Sequence, residues 1–152
     1  MSGRRPSSVI PVREVPPADT SEYRPVILVV DDESAIADTL TEILSRSGYA
    51  AAAAYDATDA LETALITPPE MLITDVVLPG MSGIELAITI KRIFPDCKIL
   101  LFSGQAATSD LLASAKSQGH QFTLLNKPVH PKDLLARVSS TLRPREQRVV
   151  AG

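Results

Sequence analysis

A chain of 152 residues with 45% hydrophobic and 22% charged residues is one domain's worth of globular protein, not a disordered polypeptide. Its net charge of −3 is unevenly spread: residues 1–25 carry +1 and residues 143–152 carry +2, which leaves −6 on residues 26–142. That balance disfavours contact with a phosphate backbone, and 4% aromatic residues with no Trp offer little for stacking on single-stranded nucleic acid.

The lone cysteine, Cys97, excludes an intramolecular disulfide or a cysteine metal cluster. No apolar run approaches the roughly 20 residues that cross a bilayer. Arg4 and Arg5 are followed by no apolar h-region, so no secretory signal is read and the expected location is the cytoplasm.

Residues 1–25 contain five prolines, Pro6, Pro11, Pro16, Pro17 and Pro25. So many missing N–H donors preclude a helix or central strand, and the segment reads as a disordered arm. Val26–Val30 is a continuous β-branched run, the pattern of a strand buried on both faces. From Ser34 to Ser47, Ile36, Leu40, Ile43 and Leu44 share one helical stripe, and Gly48 ends it. Tyr49–Tyr55 is a second strand, although its alanine run is poor in β propensity.

Thr58–Ile66 reads as a short helix broken by Pro68 and Pro69. Met71–Thr74 is a third strand, leading to Asp75. After the Gly80–Gly83 loop, Ser82 caps a helix that runs to Phe94 and stops at Pro95. Lys98–Phe102 is a fourth strand, with Cys97 before it read as a small buried hydrophobe. Thr108–Gln118 is a helix closed by Gly119, Phe122–Leu125 a fifth strand, and Pro131 opens a last helix to Leu142. His130 before it reads as a cap. Residues 143–152 read as a flexible tail.

Five β–α units within residues 26–142 imply an α/β fold, a parallel sheet covered by helices on both faces with right-handed crossovers. In such sheets chemistry sits beyond the carboxyl ends of the strands. Strand one leads into Asp31, Asp32 and Glu33, strand three into Asp75, strand four into Ser103 and Gly104, and strand five into Asn126, Lys127 and Pro128. Taken singly, each has an ordinary explanation: a turn aspartate, acids at the positive end of a helix, a solvated lysine. Four chain-distant strand ends carrying complementary groups are not explained that way.

Carboxylates about 4 Å apart repel by roughly 4 kcal/mol at an effective dielectric of 20. They must be protonated, splayed or neutralised by a cation. Hard oxygen ligands suit Mg²⁺, and Lys127 adds a second positive charge. The set therefore reads as a phosphoryl site, with Asp75 as a nucleophile forming an acyl phosphate.

The motifs VILVVDDE, LITDVVLPGMSG, LLFSG and LNKP, in this order, make residues 26–142 resemble the receiver domains of two-component response regulators. The resemblance implies a flavodoxin-like doubly wound (βα)5 sheet with strand order 2-1-3-4-5. It implies that Asp75 accepts the phosphoryl group, that Asp31 and Asp32 hold Mg²⁺ with Asp75, and that Val77 offers a backbone carbonyl to the metal. Ser103 matches the hydroxyl that follows the phosphoryl group on activation, and Lys127 the site lysine. Pro79 and Gly83 match the loop after the acceptor. The implied partners are a sensor histidine kinase or histidine phosphotransfer protein upstream and a protein target downstream, with no direct contact to nucleic acid or membrane.

Two features depart from the family pattern. Leu124 stands three residues before Lys127, where an aromatic residue is usual, and Phe122 lies two residues earlier. Val77 and Gln105 occupy positions that influence acyl-phosphate hydrolysis, and Val77 cannot orient water, so a long-lived phosphoryl state is expected.

The leading reading is a stand-alone receiver in a phosphorelay and not an enzyme, since only ten residues follow Leu142, unless the chain is a fragment of a longer regulator. A phosphorylation-independent adaptor with the same fold is the alternative. An aspartyl-phosphate hydrolase ranks last, because Val77 stands where such enzymes place a second acid.

Overall fold

The structure, a computed structural model, describes residues 23–104, 108–120 and 122–142. Most of the arm expected over 1–25, the tail expected over 143–152, and Gln105 lie outside the described residues.

The first strand, β1 (Val26–Val30), is flanked on one side by the edge strand β2 (Ala50–Ala54) and on the other by β3 (Met71–Asp75). Beyond β3 come β4 (Lys98–Ser103) and β5 (Thr123–Asn126), so the order is β2-β1-β3-β4-β5 and all pairs are parallel. Helices α1 (Ser34–Arg46), α2 (Ala57–Ile66), α3 (Gly83–Ile93), α4 (Thr108–Ser117) and α5 (Pro131–Leu142) alternate with the strands. This is the parallel sheet covered on both faces expected from the alternation, in the doubly wound strand order 2-1-3-4-5 that the resemblance implies.

Alternate strand residues feed two cores. Leu28, Val30, Leu72 and Leu101 pack against Ala60 and Ala64 of α2, Ile84 and Ile90 of α3, and Ala115 of α4. Ile27, Val29, Met71, Ile73, Leu100 and Phe102 pack against Leu40 and Leu44 of α1 and Leu134 and Val138 of α5. Because α1 and α5 cover one face and α2–α4 the other, β1, β3 and β4 are buried on both sides, which is why their sequences are unbroken apolar runs.

Most element ends move by one residue from the sequence expectation. Helix α1 stops at Arg46, with Ser47 as its C-cap, and α2 begins at Ala57 because the Asp56 side chain accepts the Asp59 N–H. Helix α3 stops at Ile93 and α4 at Ser117. Strand β2 is trimmed to the alanines, and β5 lies one residue later than read.

The shifts with consequence are at β3 and β4. Asp75 and Ser103 are the last residues of their strands, not the first beyond them. Pairing in the parallel ladder, Asp75 with Phe102 and Ser103 with Asn126, outweighs their weak intrinsic strand preference.

Candidate functional site

The carboxyl ends of β1, β3, β4 and β5 form one rim. Asp31 follows β1 and is fully buried. Its backbone N–H donates to the Ala54 carbonyl at 3.2 Å, and its Oδ1 accepts the Glu33 N–H at 2.9 Å. This turn aims Asp32 outward and starts α1. Asp75 is 7% exposed, and its Oδ1 accepts the Val77 N–H at 3.2 Å.

Lys127 reaches this pair from β5. Its backbone N–H donates to the Ser103 carbonyl at 3.0 Å. Its ammonium lies 2.9 Å from Asp75 Oδ2, 3.1 Å from Asp31 Oδ2 and 3.9 Å from Glu33 Oε1. The same nitrogen sits 5.1 Å from the centre of the Phe102 ring, a cation–π arrangement that holds the side chain from below.

Electrostatics follow from this packing. Burial pushes the Asp31 carboxyl above its ordinary value, and the neighbouring Asp75 charge adds to the rise. The Glu33 N–H and the Lys127 ammonium oppose it without cancelling it. For Lys127 burial alone would lower the value, but hydrogen bonds and charge attraction to Asp75 and Asp31 raise it overall. One ammonium thus serves two buried carboxylates, leaving excess negative charge at the rim.

Carboxylate oxygens of Asp31, Asp32 and Asp75 all lie within 4.8 Å of one another. A compact set of hard anionic oxygens, one of them in a carboxyl held above its usual range by burial, fits a small divalent cation such as Mg²⁺. Asp32, Asp75, Val77, Gly104 and Lys127 line one open cleft of about 640 Å³, so Asp32 and Asp75 are reached from solvent. Val77 is half exposed at that mouth. Ser103 is buried at the end of β4, beside Asp75's strand.

Position by position, the topology therefore brings Asp32, Asp75, Val77 and Lys127 to one cleft, with Asp31 buried against Lys127 and the other two acids and Ser103 buried at the end of the neighbouring strand. Glu33 and Gly83 were read only as a strand-end acid and a loop residue, and Phe102 as part of a strand; the contacts of these three were not legible beforehand. Glu33 joins the Lys127 cluster, and Phe102 lies beneath the ammonium; neither can be seen without the strand register. Gly83 is the third. A Cβ there would stand 1.8 Å from the Asp75 carbonyl oxygen, so glycine lets α3 seat against the end of β3. Its N–H donates to the Val76 carbonyl at 2.7 Å.

At the far side of the rim, Leu124 fills the position three before Lys127 and packs into the core shared with α2–α4. Phe122 precedes β5 and stacks on His120, with ring centres 5.8 Å apart and 19° between planes. His130 does cap α5: its Nδ1 accepts the Lys132 N–H at 3.2 Å.

The family model of the response regulator receiver domain matches residues 27–139. The chain is 34% identical over 125 residues to the DNA-binding response regulator MtrA of Mycobacterium tuberculosis, covering 82% of this chain and 53% of that protein. It is 32% identical over 117 residues to the response regulator MprA of Mycobacterium ulcerans, covering 77% and 50%. The chain thus spans about half the length of the curated relatives it matches. Among solved structures it resembles a CheY-like receiver domain protein from Methanospirillum hungatei, with a TM-score of 0.74, 28% identity, and coverage of 83% of this chain and 99% of that one.

Proposed function

Since this chain belongs to the response regulator receiver domain family, whose place is in phosphorelay signalling, we propose that Asp75 is its phosphoryl acceptor and that phosphorylation switches binding to a protein partner. One observation carries the reading: Asp31, Asp32 and Asp75, far apart in sequence, converge within 4.8 Å, with the Lys127 ammonium 2.9 Å from Asp75.

In the proposed step an Asp75 carboxylate oxygen attacks the phosphorus of a phosphohistidine on a sensor kinase or phosphotransfer protein. The O–P bond forms, the P–N bond breaks, and the imidazole nitrogen leaves with a proton from solvent. The Val77 N–H and the Lys127 ammonium each hold one Asp75 oxygen, which fixes the carboxylate's orientation. Asp31, Asp32 and Asp75 would hold Mg²⁺, with Val77 as the proposed carbonyl donor. Bound there, the ion would neutralise charge on the transferring phosphoryl oxygens.

Phosphorylation adds about −1.5 to −2 charges and three acceptor oxygens. Lys127 neutralises part of this charge, and the Ser103 hydroxyl is the donor proposed to follow the phosphoryl group. Gly104 beside it brings no side chain to the cleft. A nearly complete two-state shift needs about 5.5 kcal/mol of differential stabilisation, of which new charge-assisted hydrogen bonds at about 1.5–3 kcal/mol each give a large part.

The −6 charge of residues 26–142 supports output through a protein surface rather than direct contact with nucleic acid. The reading also places the protein in the cytoplasm, in keeping with a single cysteine; among the described residues no helix is long and apolar enough to cross a membrane.

Incubation with Mg²⁺ and acetyl phosphate tests the proposal by intact mass and phosphate release. The expected result is one added phosphoryl group, lost on chelation of the metal and in Asp75→Asn. No incorporation would favour the phosphorylation-independent adaptor, and continuous phosphate release without a lasting adduct would make the protein a phosphatase.

A further inference from the structure

The end of the sheet opposite the phosphoryl cleft carries a second depression, a groove of about 730 Å³ between the 68–70 turn and the 93–98 segment. Pro68, Pro69, Phe94 and Pro95 supply its apolar walls, and Glu70 and Asp96 its negative charge, against the single cation Lys98 among the described lining residues. Ile93, 44% exposed, adds a further apolar side chain to this lining. The proposed phosphoryl chemistry makes no use of this end.

Thr141 and Leu142, the last residues of α5, line the same groove. The chain continues from them as Arg143, Pro144, Arg145, Glu146, Gln147, Arg148, Val149 and Val150. Pro144 disfavours continuation of the helix and biases Arg143 towards extended backbone. The eight residues that follow Leu142 combine three arginines with one acid and end in two β-branched apolar residues. They match a groove whose charged lining nets to −1 and whose walls are proline and phenylalanine rings. Fully extended, eight residues reach at most about 29 Å, ample for a groove whose wall includes their own anchor. Because the segment is tethered at the rim, its local concentration is of millimolar order, and a contact far too weak for a free peptide would be occupied.

The N-terminal residues approach from the same end: the Tyr23 hydroxyl donates to Glu70 at 2.6 Å. Residues 1–22, however, carry three arginines and three acids, so charge does not draw them to the groove as it draws 143–150.

We propose that residues 143–150 dock in cis into the groove beneath the sheet, with arginines against Glu70 and Asp96 and the valine pair against the proline and phenylalanine walls. This would make the end of α5 a strap across the face remote from Asp75.

The test is a paramagnetic label on an Ala151→Cys variant of the full chain, read by amide NMR. Burial raises the Cys97 thiol to about 11, so near neutral pH Cys97 resists the reagent and the label goes to position 151. The expected result is a several-fold loss of amide intensity at residues 69–70 and 93–98, recovered when Arg143, Arg145 and Arg148 are all changed to Glu in the same labelled chain. Equal broadening in the reversed-charge chain would overturn the proposal. So would broadening that vanishes when labelled chains are diluted into excess unlabelled, isotope-free protein, because a second copy would then be the occupant. Native amide shifts elsewhere in both labelled chains check that each is folded.

Discussion

Asp31 is fully buried and shares one ammonium with Asp75, so its ionised form is held at a cost. Its folded value lies above the ordinary 3.8, which means the native state binds this proton more tightly than the unfolded chain. Stability from this group is present below the ordinary value and is lost as pH rises through the folded one. Asp31→Asn removes that loss. In chelator, urea denaturation should therefore show the variant more stable than the parent at neutral pH, with the difference growing as pH rises from 3.8 through the folded value and flat beyond it. A variant weaker than the parent at neutral pH would contradict the account. Val77 makes a different point. It is 48% exposed at the cleft mouth and its side chain has no polar atom to position attacking water, so the acyl phosphate should persist for minutes or longer once the donor is removed. Radiolabel decay measures this; loss within seconds would contradict it, and Val77→Asn should shorten the lifetime. The acids and Lys127 could be read from sequence because each sits where a strand run ends and needs a counter-charge. Phe102 beneath Lys127 could not, since a residue that looks like ordinary core becomes an ammonium support only through its pairing with Asp75.

Among the helices, α3 fixes the site most directly. Ser82 accepts the Glu85 N–H at 3.1 Å, and Glu85 accepts the Ser82 N–H at 3.0 Å, a reciprocal cap that starts the helix beside Asp75. Gly83 then packs where a side chain cannot go. Gly83→Ala would place a carbon against the Asp75 carbonyl, and displacing the backbone should cost about 1–3 kcal/mol or more. Ser82→Ala, which loses only the cap, should cost about 1 kcal/mol. Urea midpoints of the two variants compare these directly, and a neutral Gly83→Ala would show that α3 is not seated as described. The cap was legible in the Ser-x-x-Glu spacing; the close approach of Gly83 was not, because it depends on where the preceding strand stops. Strand β2 shows the opposite case. Five alanines carry almost no strand preference, yet residues 50–54 pair in register along the whole of β1. The edge is a strand because α1 and its turn deliver it to β1, not because of its own side chains.

Across the whole molecule, the periodic apolar runs were enough to give the layered order of strands and helices, since a strand buried on both faces has few other solutions. Burial on both faces also sets where chemistry can occur: among the described residues the buried polar ones, Asp31, Thr74, Asp75 and Ser103, all lie at the carboxyl end of the sheet. One end holds the acids and Lys127. The other holds the groove beside which residues 143–152 begin, which lies outside what strand and helix patterns reveal because it is built from turns. In the proposed function an Asp75 carboxylate oxygen is the nucleophile that bonds to phosphorus. Borohydride reduction after treatment with Mg²⁺ and acetyl phosphate converts an acyl phosphate to an alcohol, and peptide mass mapping then locates it. The account predicts homoserine at position 75 alone and only with the metal present. An unmodified Asp75 beside a phosphoryl group carried on another residue would contradict it.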